Sequence, residues 1–337
     1  MSSRRRRYKV AVAGVGKMGR NHLRVLLAHG GFEVKALIDP REETQDLLPP
    51  GAKWYKSVGD FGKDAKDIEI VVIASGTRSH FELGAQLLEL KIPLLIEKPL
   101  AFSFQESQKL AGLAQAASVQ VFVGHTERSN PAVRKLREVI ASGIIGTPIH
   151  FSTTRVGGFP QEKKDTNVLL DLAVHDLDVL NILAGPLKLR SSICHNTFDH
   201  SYYDTAQLLL SNDKGSSASV HVNWVTPTKI RTLRVTGSKG VARVDYILQT
   251  CKVVGGELIK KNPRQEFNFN DVISDYMNSD QIEFGVTKRE PLLVQADELY
   301  NQLSIGKSQL CTAEEGSKIV NLAEMAIAMG QGGITAG

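Results

Sequence analysis

Residues 9–19 read Lys9-Val10-Ala11-Val12-Ala13-Gly14-Val15-Gly16-Lys17-Met18-Gly19, and this stretch decides the fold of the first part of the chain. Its apolar half predicts a buried strand, and a helical pattern follows from Lys17 to Ala28. The glycines have the Gly-x-Gly-x-x-Gly spacing of a turn that binds a dinucleotide. The first makes the tight turn, the second lets a pyrophosphate approach the backbone, and the third lets the helix pack on the strand. We therefore predict cofactor contacts from Gly14, Val15, Gly16, Lys17, Met18 and Gly19.

An acidic residue ends the next predicted strand. Residues 34–38 have a strand pattern and are followed at once by Asp39. A carboxylate at this position accepts hydrogen bonds from the adenosine ribose hydroxyls, and its charge repels a 2′-phosphate. The sequence therefore favours NAD over NADP, although Arg41 lies close enough to weaken that preference. Both side chains are predicted to contact the cofactor.

Strand and helix patterns alternate through the rest of this part. Strands are predicted at 70–74, 94–96 and 119–123, and helices at 80–90 and 103–117. Such alternation indicates a parallel sheet with helices on both faces, which is the doubly wound Rossmann arrangement. We predict a disordered basic tail at residues 1–8 and a dinucleotide-binding domain at 9–125.

The pattern changes after residue 125. Asn130-Pro131 predicts a helix start, since Asn is a favoured N-cap and Pro is favoured at the first helical position. The strands that follow are connected by short links, which indicates a mostly antiparallel sheet in an α+β domain at 126–330. They are predicted at 149–155, 190–196, 203–210, 217–224, 230–236, 241–246 and 250–254, with a hairpin turn at 237–240 and a last helix from the capping box at Thr312 to about Met329.

Glu97-Lys98-Pro99 follows the predicted strand at 94–96. Ligands of open α/β sheets bind outside the carboxyl ends of the strands, so Glu97 and Lys98 are expected at the cofactor crevice. A lysine there can hold a substrate hydroxyl or a developing oxyanion. The alternative for Lys98 alone is an ordinary surface lysine at a strand end.

Asp171 and His175 lie four residues apart in a segment, 168–184, that is predicted as one helix ending at Gly185-Pro186. Positions four apart share a helix face. His175 suits general-base work because histidine titrates near neutral pH. The alternative is a buried histidine that is hydrogen-bonded within its helix. No third His or Cys stands at ligand spacing, so we predict no metal site.

Together these residues resemble the Gfo/Idh/MocA oxidoreductases over nearly the whole chain. The signature of that family is the glycine motif, then Glu-Lys-Pro, then Asp-x-x-x-His, and all three occur here in order. The resemblance implies that Lys98 and His175 are catalytic and that Asp171 orients the substrate or the histidine. It also implies a homo-oligomer, a dimer or tetramer, assembled through the open face of the C-terminal sheet, where Tyr246, Val253 and Val254 are expected.

Residues 124–133 and 171–176 look most like the UDP-N-acetylglucosamine 3-dehydrogenases of that family. This implies NAD-dependent oxidation of the sugar 3-hydroxyl to a ketone, which a partner aminotransferase then aminates for lipid A, in lipopolysaccharide, or for surface glycans. Two departures concern Ser129, where an aromatic residue is usual, and residues 74–77, which replace the usual Ala-Thr-Pro. They affect the substrate pocket and the loop under the nicotinamide.

Other polar residues complete the predicted site. Ser75, Thr77 and His80 follow the fourth strand and are predicted to line the cofactor. Arg128 is predicted to bind substrate oxygens, with an interdomain salt bridge as the alternative. Arg155 is predicted to meet a diphosphate in bidentate fashion. Lys163 and Lys164 could assist from a loop, and a solvated loop is their alternative.

Composition restricts the class of protein and its location. The formal charge is +5, of which Arg4 to Arg7 supply four, so the body gives no argument for nucleic-acid binding. No apolar stretch approaches the roughly 18 residues of a membrane span, and no apolar segment of signal-peptide type follows the basic start. Three distant cysteines without Cys-x-x-Cys fit a reducing cytoplasm.

Three alternatives for the function remain at this stage. The chain could oxidise inositol or a free aldose with the same catalytic residues. It could reduce a carbonyl, as in the biliverdin reductase-like branch, with His175 as the acid. It could also be a nicotinamide-sensing regulator without turnover, although a pure sensor has no need of Lys98, Asp171 and His175 together.

Overall fold

The computed structural model describes residues 6–159, 166–198, 202–255 and 281–331. Its internal contacts divide the chain into two compact units. The first unit combines Met1–Ser129 with Glu290–Glu324, and the second combines Asn130–Arg289 with Met325–Gly337.

The helices and strands are numbered here in chain order. The helices are α1 (Lys17–His29), α2 (Val58–Phe61), α3 (His80–Glu89), α4 (Phe104–Ala117), α5 (Pro131–Ala141), α6 (Val174–Ala184), α7 (Pro291–Ile305) and α8 (Ala313–Gln331). The strands are β1 (Tyr8–Ala13), β2 (Phe32–Ile38), β3 (Lys53–Tyr55), β4 (Ile70–Ile73), β5 (Leu94–Glu97), β6 (Val121–Gly124), β7 (Pro148–Val156), β8 (Lys188–His195), β9 (Thr205–Ser211), β10 (Ser217–Asn223), β11 (Ile230–Gly237), β12 (Gly240–Asp245), β13 (Thr250–Gly255), β14 (Gln281–Phe284) and β15 (Cys311–Thr312).

The first unit has the predicted Rossmann architecture. Its strands lie in the order β15-β6-β5-β4-β1-β2-β3, with β1 to β6 parallel and β15 antiparallel to β6. Successive residues of β1 face opposite sides of the sheet, so Val10 and Val12 join one buried cluster and Ala11 and Ala13 the other. Helices cover both faces, which explains why these strands are apolar at every position.

The predicted boundary of the second domain, 126–330, is wrong for residues 290–324. Helix α7 packs against α1 within the first unit. Leu292 and Leu299 enter the core of the first sheet, and the Tyr300 ring meets Phe32 edge-on, with 6.1 Å between centroids. Residues 290–324 therefore belong to the first unit, because the apolar side of α7 covers part of the core of the first sheet.

The predicted tail, 1–8, is also too long. Tyr8 is the first residue of β1 and is buried. The Arg7 guanidinium donates two hydrogen bonds to the carbonyl oxygen of Phe32, and Arg6 pairs with Glu69. Residues 1–5 lie outside the described part of the chain.

The second unit contains an eight-stranded sheet in the order β14-β13-β12-β11-β7-β10-β9-β8. All neighbouring strands are antiparallel except β7 and β10, which are parallel because β7 inserts between β10 and β11. Helix α5 packs on β12 and β13, and α6 packs on β7 and β10. The predicted mostly antiparallel sheet is confirmed.

Two of the three residues expected on the open face of this sheet are buried instead. Tyr246 and Val253 are 4% and 2% exposed, so they belong to the core, whereas Val254 is half-buried and alternates with Val253, so it lies on the open face. The face opposite α6 presents instead the residues that alternate with the buried ones, such as Ser152 and Thr154 of β7. Within the described residues, no helix is long and apolar enough to cross a membrane.

Two glycine-to-alanine substitutions test how closely α1 approaches the turn after β1. A Cβ on Gly19 would lie 1.9 Å from the carbonyl oxygen of Gly14, so G19A should destabilise the protein by about 1–3 kcal/mol through overpacking. The matched control is G112A in α4, where a Cβ meets nothing within 4 Å. There alanine should stabilise by about 0.5–1 kcal/mol through its helix propensity. Thermal unfolding measures both, and equal shifts would contradict the close approach.

Candidate active site

The turn between β1 and α1 is shaped to receive a dinucleotide. Gly14 has φ +85°, and a Cβ there would lie 2.5 Å from the Ser75 backbone nitrogen. A Cβ on Gly16, by contrast, would meet nothing within 4 Å. Gly16 is the N-cap of α1 and has no side chain to cap it, and the N-terminus of a helix favours an anion. This open backbone beside a helix N-terminus fits a pyrophosphate.

A cavity of about 720 Å³ opens at this turn, entirely within the first unit. Seven of the residues predicted to contact the cofactor line it, namely Gly14, Gly16, Lys17, Met18, Asp39, Arg41 and Ser75. Val15 and Gly19 do not line the cavity. They pack behind the turn, since Val15 is fully buried and Gly19 packs against Gly14. Further polar lining residues were missed, because nothing in their local sequence marks them: Lys56, Ser57, Ser79, Glu82 and Gln86.

Asp39 lies at the predicted end of β2 but is held more tightly than expected. Its Oδ2 accepts a hydrogen bond from the Val15 backbone at 2.7 Å. The Arg41 guanidinium donates a hydrogen bond to each carboxylate oxygen of Asp39, from Nε to Oδ1 and from Nη2 to Oδ2, both at 2.8 Å. Burial alone would raise the pKa of Asp39, but the bonds from Arg41 and Val15 hold it below its ordinary value. The carboxylate therefore stays charged, with a cation attached to it.

Glu97 is misassigned as a cofactor ligand. Its side chain is buried, and Oε1 lies 2.7 Å from His22 Nε2 of α1, while Oε2 accepts the Lys98 backbone N–H at 3.2 Å. Burial alone would raise the pKa of Glu97, but the bond to His22 and nearby positive charges outweigh it and lower the pKa. Glu97 is a structural anchor between β5 and α1.

His80 is likewise a structural residue. It is 1% exposed, and its two ring nitrogens lie 2.9 Å from the Pro99 carbonyl oxygen and 3.2 Å from the Ser75 carbonyl oxygen. It therefore ties the loop after β4 to the loop after β5 rather than facing the cavity. Thr77 is half-buried in a short 3₁₀ turn and does not line the cavity.

Lys98 is half-buried and directly follows β5, at the carboxyl edge of the parallel sheet where the turn of Gly14 also lies. It does not line the cavity itself, so its contact with the cofactor stays a prediction. The peptide bond between Lys98 and Pro99 is cis.

In the second unit, Asp171 and His175 are both half-buried. The helix that carries them differs from the prediction, because residues Leu169–Ala173 form a π-helical turn before α6 begins at Val174. Asn167 starts this segment, since its Oδ1 accepts the backbone N–H groups of Leu169 and Leu170. Single π turns inside helices are frequent at functional sites.

The two arginines predicted to bind substrate are engaged elsewhere. Arg155 is 1% exposed, and its guanidinium binds the buried Asp176 through Nε to Oδ2 at 2.7 Å and Nη2 to Oδ1 at 3.3 Å. Its predicted contact with a diphosphate is wrong, because the guanidinium is buried and already pairs with the Asp176 carboxylate. A buried charge requires an opposite charge of this kind. Arg128 is 6% exposed and forms a salt bridge with Glu315 at 3.0 Å, but both partners belong to the first unit, so the pair is not the interdomain bridge of the alternative. Lys163 and Lys164 lie outside the described residues.

Asparagine at position 39 should change the preference between NAD and NADP. D39N keeps an acceptor for the Val15 N–H but removes the charge that opposes a 2′-phosphate, and it releases Arg41 to bind one. We expect the ratio of the Kd for NADP to that for NAD to fall at least about tenfold, the equivalent of about 1.4 kcal/mol. Fluorescence titration with each nucleotide measures the ratio. The control is D46N, an exposed acid of the same unit, and an unchanged ratio in D39N would contradict this role.

Acid should reveal the contribution of Glu97 to stability. The pKa of Glu97 is lower in the folded protein than in the unfolded chain, where it is about 4.3. The charged side chain therefore stabilises the fold fully above that unfolded pKa, and this stabilisation is lost as the pH falls through the folded pKa. Glutamine resembles the protonated acid. E97Q should therefore be less stable than the native chain by about 1–3 kcal/mol at pH 7, with a difference that shrinks below about pH 4. Denaturant unfolding at several pH values measures this, with E89Q at an exposed position as the control.

Comparison with known proteins finds relatives that are 26–27% identical to this chain. The chain is 27% identical to the rhizopine catabolism protein MocA of Rhizobium meliloti, over 71% of this chain and 79% of that protein. It is 26% identical to the UDP-N-acetylglucosamine 3-dehydrogenase of Acidithiobacillus ferrooxidans, over 73% and 76%. It is 27% identical to the scyllo-inositol 2-dehydrogenase (NAD(+)) of Bacillus subtilis, over 65% and 68%.

Solved structures share the fold. A structure of the Acidithiobacillus ferrooxidans UDP-N-acetylglucosamine 3-dehydrogenase matches with a TM-score of 0.79 at 20% identity, covering 96% of this chain and 98% of that one. A levoglucosan dehydrogenase in complex with NADH and levoglucosan matches with a TM-score of 0.81 at 16% identity, covering 97% and 98%.

Two family models match the chain. The model of the oxidoreductase family with an NAD-binding Rossmann fold matches residues 8–125, and that of the GFO/IDH/MocA C-terminal domain matches residues 133–243. Together they span more than half of the sequence, and the cavity at Gly14 and Asp39 provides the cofactor site that the first model describes. The chain therefore belongs to the NAD-binding Gfo/Idh/MocA family of oxidoreductases.

Proposed function

We propose that this protein oxidises a secondary hydroxyl on the ring of a sugar or cyclitol. The observation that carries the proposal is the position of Lys98, which follows β5 at the same carboxyl edge of the sheet that forms the NAD cavity. NAD, when bound, supplies the acceptor for the hydride. The other supports are the intact Asp171-x-x-x-His175 sequence and relatives that act on sugars and inositols.

The roles of the side chains follow from their chemistry. His175 takes the proton of the hydroxyl, because an imidazole is both a good base and mostly neutral at pH 7. Lys98 donates a hydrogen bond to the oxygen and stabilises the negative charge that develops there. Asp171 orients His175 or a neighbouring hydroxyl of the ring.

We propose UDP-N-acetylglucosamine, oxidised at its 3-hydroxyl, as the substrate. The support is the likeness of residues 124–133 and 171–176 to such enzymes, together with the relative of that activity. The 3-keto product would then pass to a partner aminotransferase in the synthesis of lipid A or of surface glycans.

An inositol is the second candidate substrate, and a specific observation favours it. Arg155 and Arg128, the two cations predicted to bind nucleotide-sugar oxygens, are both buried in ion pairs. A cyclitol has no diphosphate and needs neither cation. An inositol dehydrogenase is also as similar to this chain as the nucleotide-sugar enzyme.

We further propose a cytoplasmic homo-oligomer, a dimer or tetramer, that packs through the open face of the second sheet. The face opposite α6 carries no helix among the described residues of its unit, and Ile193 and Leu209 are each 54% exposed. Cys194, Cys251 and Cys311 are buried and form no disulfide, which suits a reducing compartment.

Removal of either catalytic group should slow turnover strongly without abolishing NAD binding. We expect H175A to lower kcat by about 10²–10⁴-fold, the usual contribution of a general base, and K98A by about 10²–10³-fold, the usual contribution of one donor to a developing oxyanion. The controls are K109A and H195A, at exposed positions of each unit, which should retain full activity. Stopped-flow absorbance of reduced nicotinamide measures turnover. Full turnover by K98A and H175A would disprove the roles proposed for these residues.

The substrate itself is tested by following reduced nicotinamide with UDP-N-acetylglucosamine, myo-inositol and glucose in parallel. A partner aminotransferase and glutamate are included to remove any ketone. We expect a signal and a 3-amino product with the nucleotide sugar. Turnover of inositol alone would replace the first substrate by the second, whereas tight NAD binding without any turnover would reject the enzymatic proposal in favour of a regulator.

A further inference from the structure

The open face of the second sheet carries a row of three cations on neighbouring strands. Arg234 of β11 lies directly opposite Arg243 of β12, and Arg243 lies directly opposite Lys252 of β13. Like charges in directly opposed positions destabilise a sheet. Three cations in directly opposed positions are therefore expected to lower the stability of the sheet at these strands.

Neither arginine is in an ion pair with any residue that the structure describes. Among the described residues, neither the Arg234 nor the Arg243 guanidinium has a carboxylate or other hydrogen-bond partner, and both side chains are exposed. Lys252 forms one surface ion pair, with Glu283 at 3.1 Å, and such exposed pairs contribute little. The charge of Arg234 also reaches the neighbouring β7, where burial and this charge lower the pKa of His150.

The row lies in a concave site rather than on a flat surface. A cavity of about 450 Å³ is lined by the three cations and by the hydroxyl groups of Ser152, Thr154, Thr232 and Thr250. One carboxylate, Asp245, also lines it, but its Oδ1 already accepts the backbone N–H groups of Ile247 and Leu248. The cavity therefore brings together two guanidinium groups, one ammonium group and several hydroxyl donors.

The cavity is separate from the catalytic residues of its unit. Ser152 and Thr154 alternate along β7 with Thr153 and Arg155, and Arg155 points to Asp176 of α6. The cavity thus opens on the sheet face opposite the helix that carries His175.

We propose that this row is a binding site for a multivalent oxyanion of the phosphate class. Guanidinium groups bind phosphoryl oxygens in bidentate fashion, and the hydroxyls complete the shell. Cations on adjacent strands repeat at about 4.8 Å, which suits an anion with several phosphoryl groups better than a single phosphate. Because this face is also the one proposed to pack in the oligomer, the anion would neutralise charge that otherwise opposes assembly.

The test uses inorganic tripolyphosphate and isothermal titration calorimetry. Saturating NAD is present so that the phosphate end of the coenzyme cavity is closed to the probe, and chloride keeps the ionic strength constant. We expect saturable binding of tripolyphosphate at least tenfold tighter than that of inorganic phosphate. R243Q and R234Q should each raise the Kd for tripolyphosphate at least tenfold. The matched control is R190Q, an exposed arginine of β8 outside the cavity, which should change the Kd by less than twofold.

Two outcomes would overturn the proposal. One is binding no stronger than that of phosphate, and the other is an equal loss in R190Q, which would indicate diffuse surface charge. A second readout is unfolding temperature without the probe, where R243Q should melt at the same temperature as the native chain or higher because repulsion is relieved. A lower value would mean that Arg243 is already compensated. NAD affinity should be unchanged in all three variants, which separates this test from that of the proposed function.

Discussion

The contact between Gly19 and the carbonyl oxygen of Gly14 is the constraint on which the cofactor site depends. There is no room for a single carbon atom between them, so α1 starts directly against the turn that ends β1. The same turn touches the backbone of Ser75 at the end of β4 and receives Asp39 from the end of β2 through the Val15 N–H. Three strand ends and one helix N-terminus are thereby fixed around a cavity by close backbone approaches and by one hydrogen bond from the backbone to the Asp39 carboxylate.

The first unit was predictable from the sequence because its signals are local. The glycine spacing, the apolar strands and the helix caps lie within a few residues of the structure they specify, and Ser103 caps α4 as its residue type indicates. Helix α7 was missed for a physical reason. Its buried positions include Gln295 and Glu298 beside the leucines, so polar residues interrupt the apolar periodicity by which an amphipathic helix is found.

The charged residues were harder to predict, because a sequence gives a charge but not its distant partner. Arg155 and Arg128 were expected to face a substrate, yet each is buried against a carboxylate that is 21 or 187 positions away. An unpaired charge in the interior costs several kcal/mol, so burial itself demands such a partner. The converse also holds among the described residues: Arg234 and Arg243, which did not stand out in the sequence, are exposed without an ion-pair partner and form the anion site that we propose.

Glu97, Lys98 and Pro99 show how one short motif divides structural and chemical work. Glu97 points into the protein and binds His22 of α1, whereas its second oxygen holds the backbone N–H of Lys98. The helix whose N-terminus forms the phosphate end of the cavity is thus connected through two hydrogen bonds to the residue proposed to hold the substrate oxygen. His80 makes the equivalent connection from Ser75 to Pro99 on the other side. A lysine on a flexible stem gains precision when its backbone is fixed from both directions, and here the buried acid and the buried histidine provide that fixation.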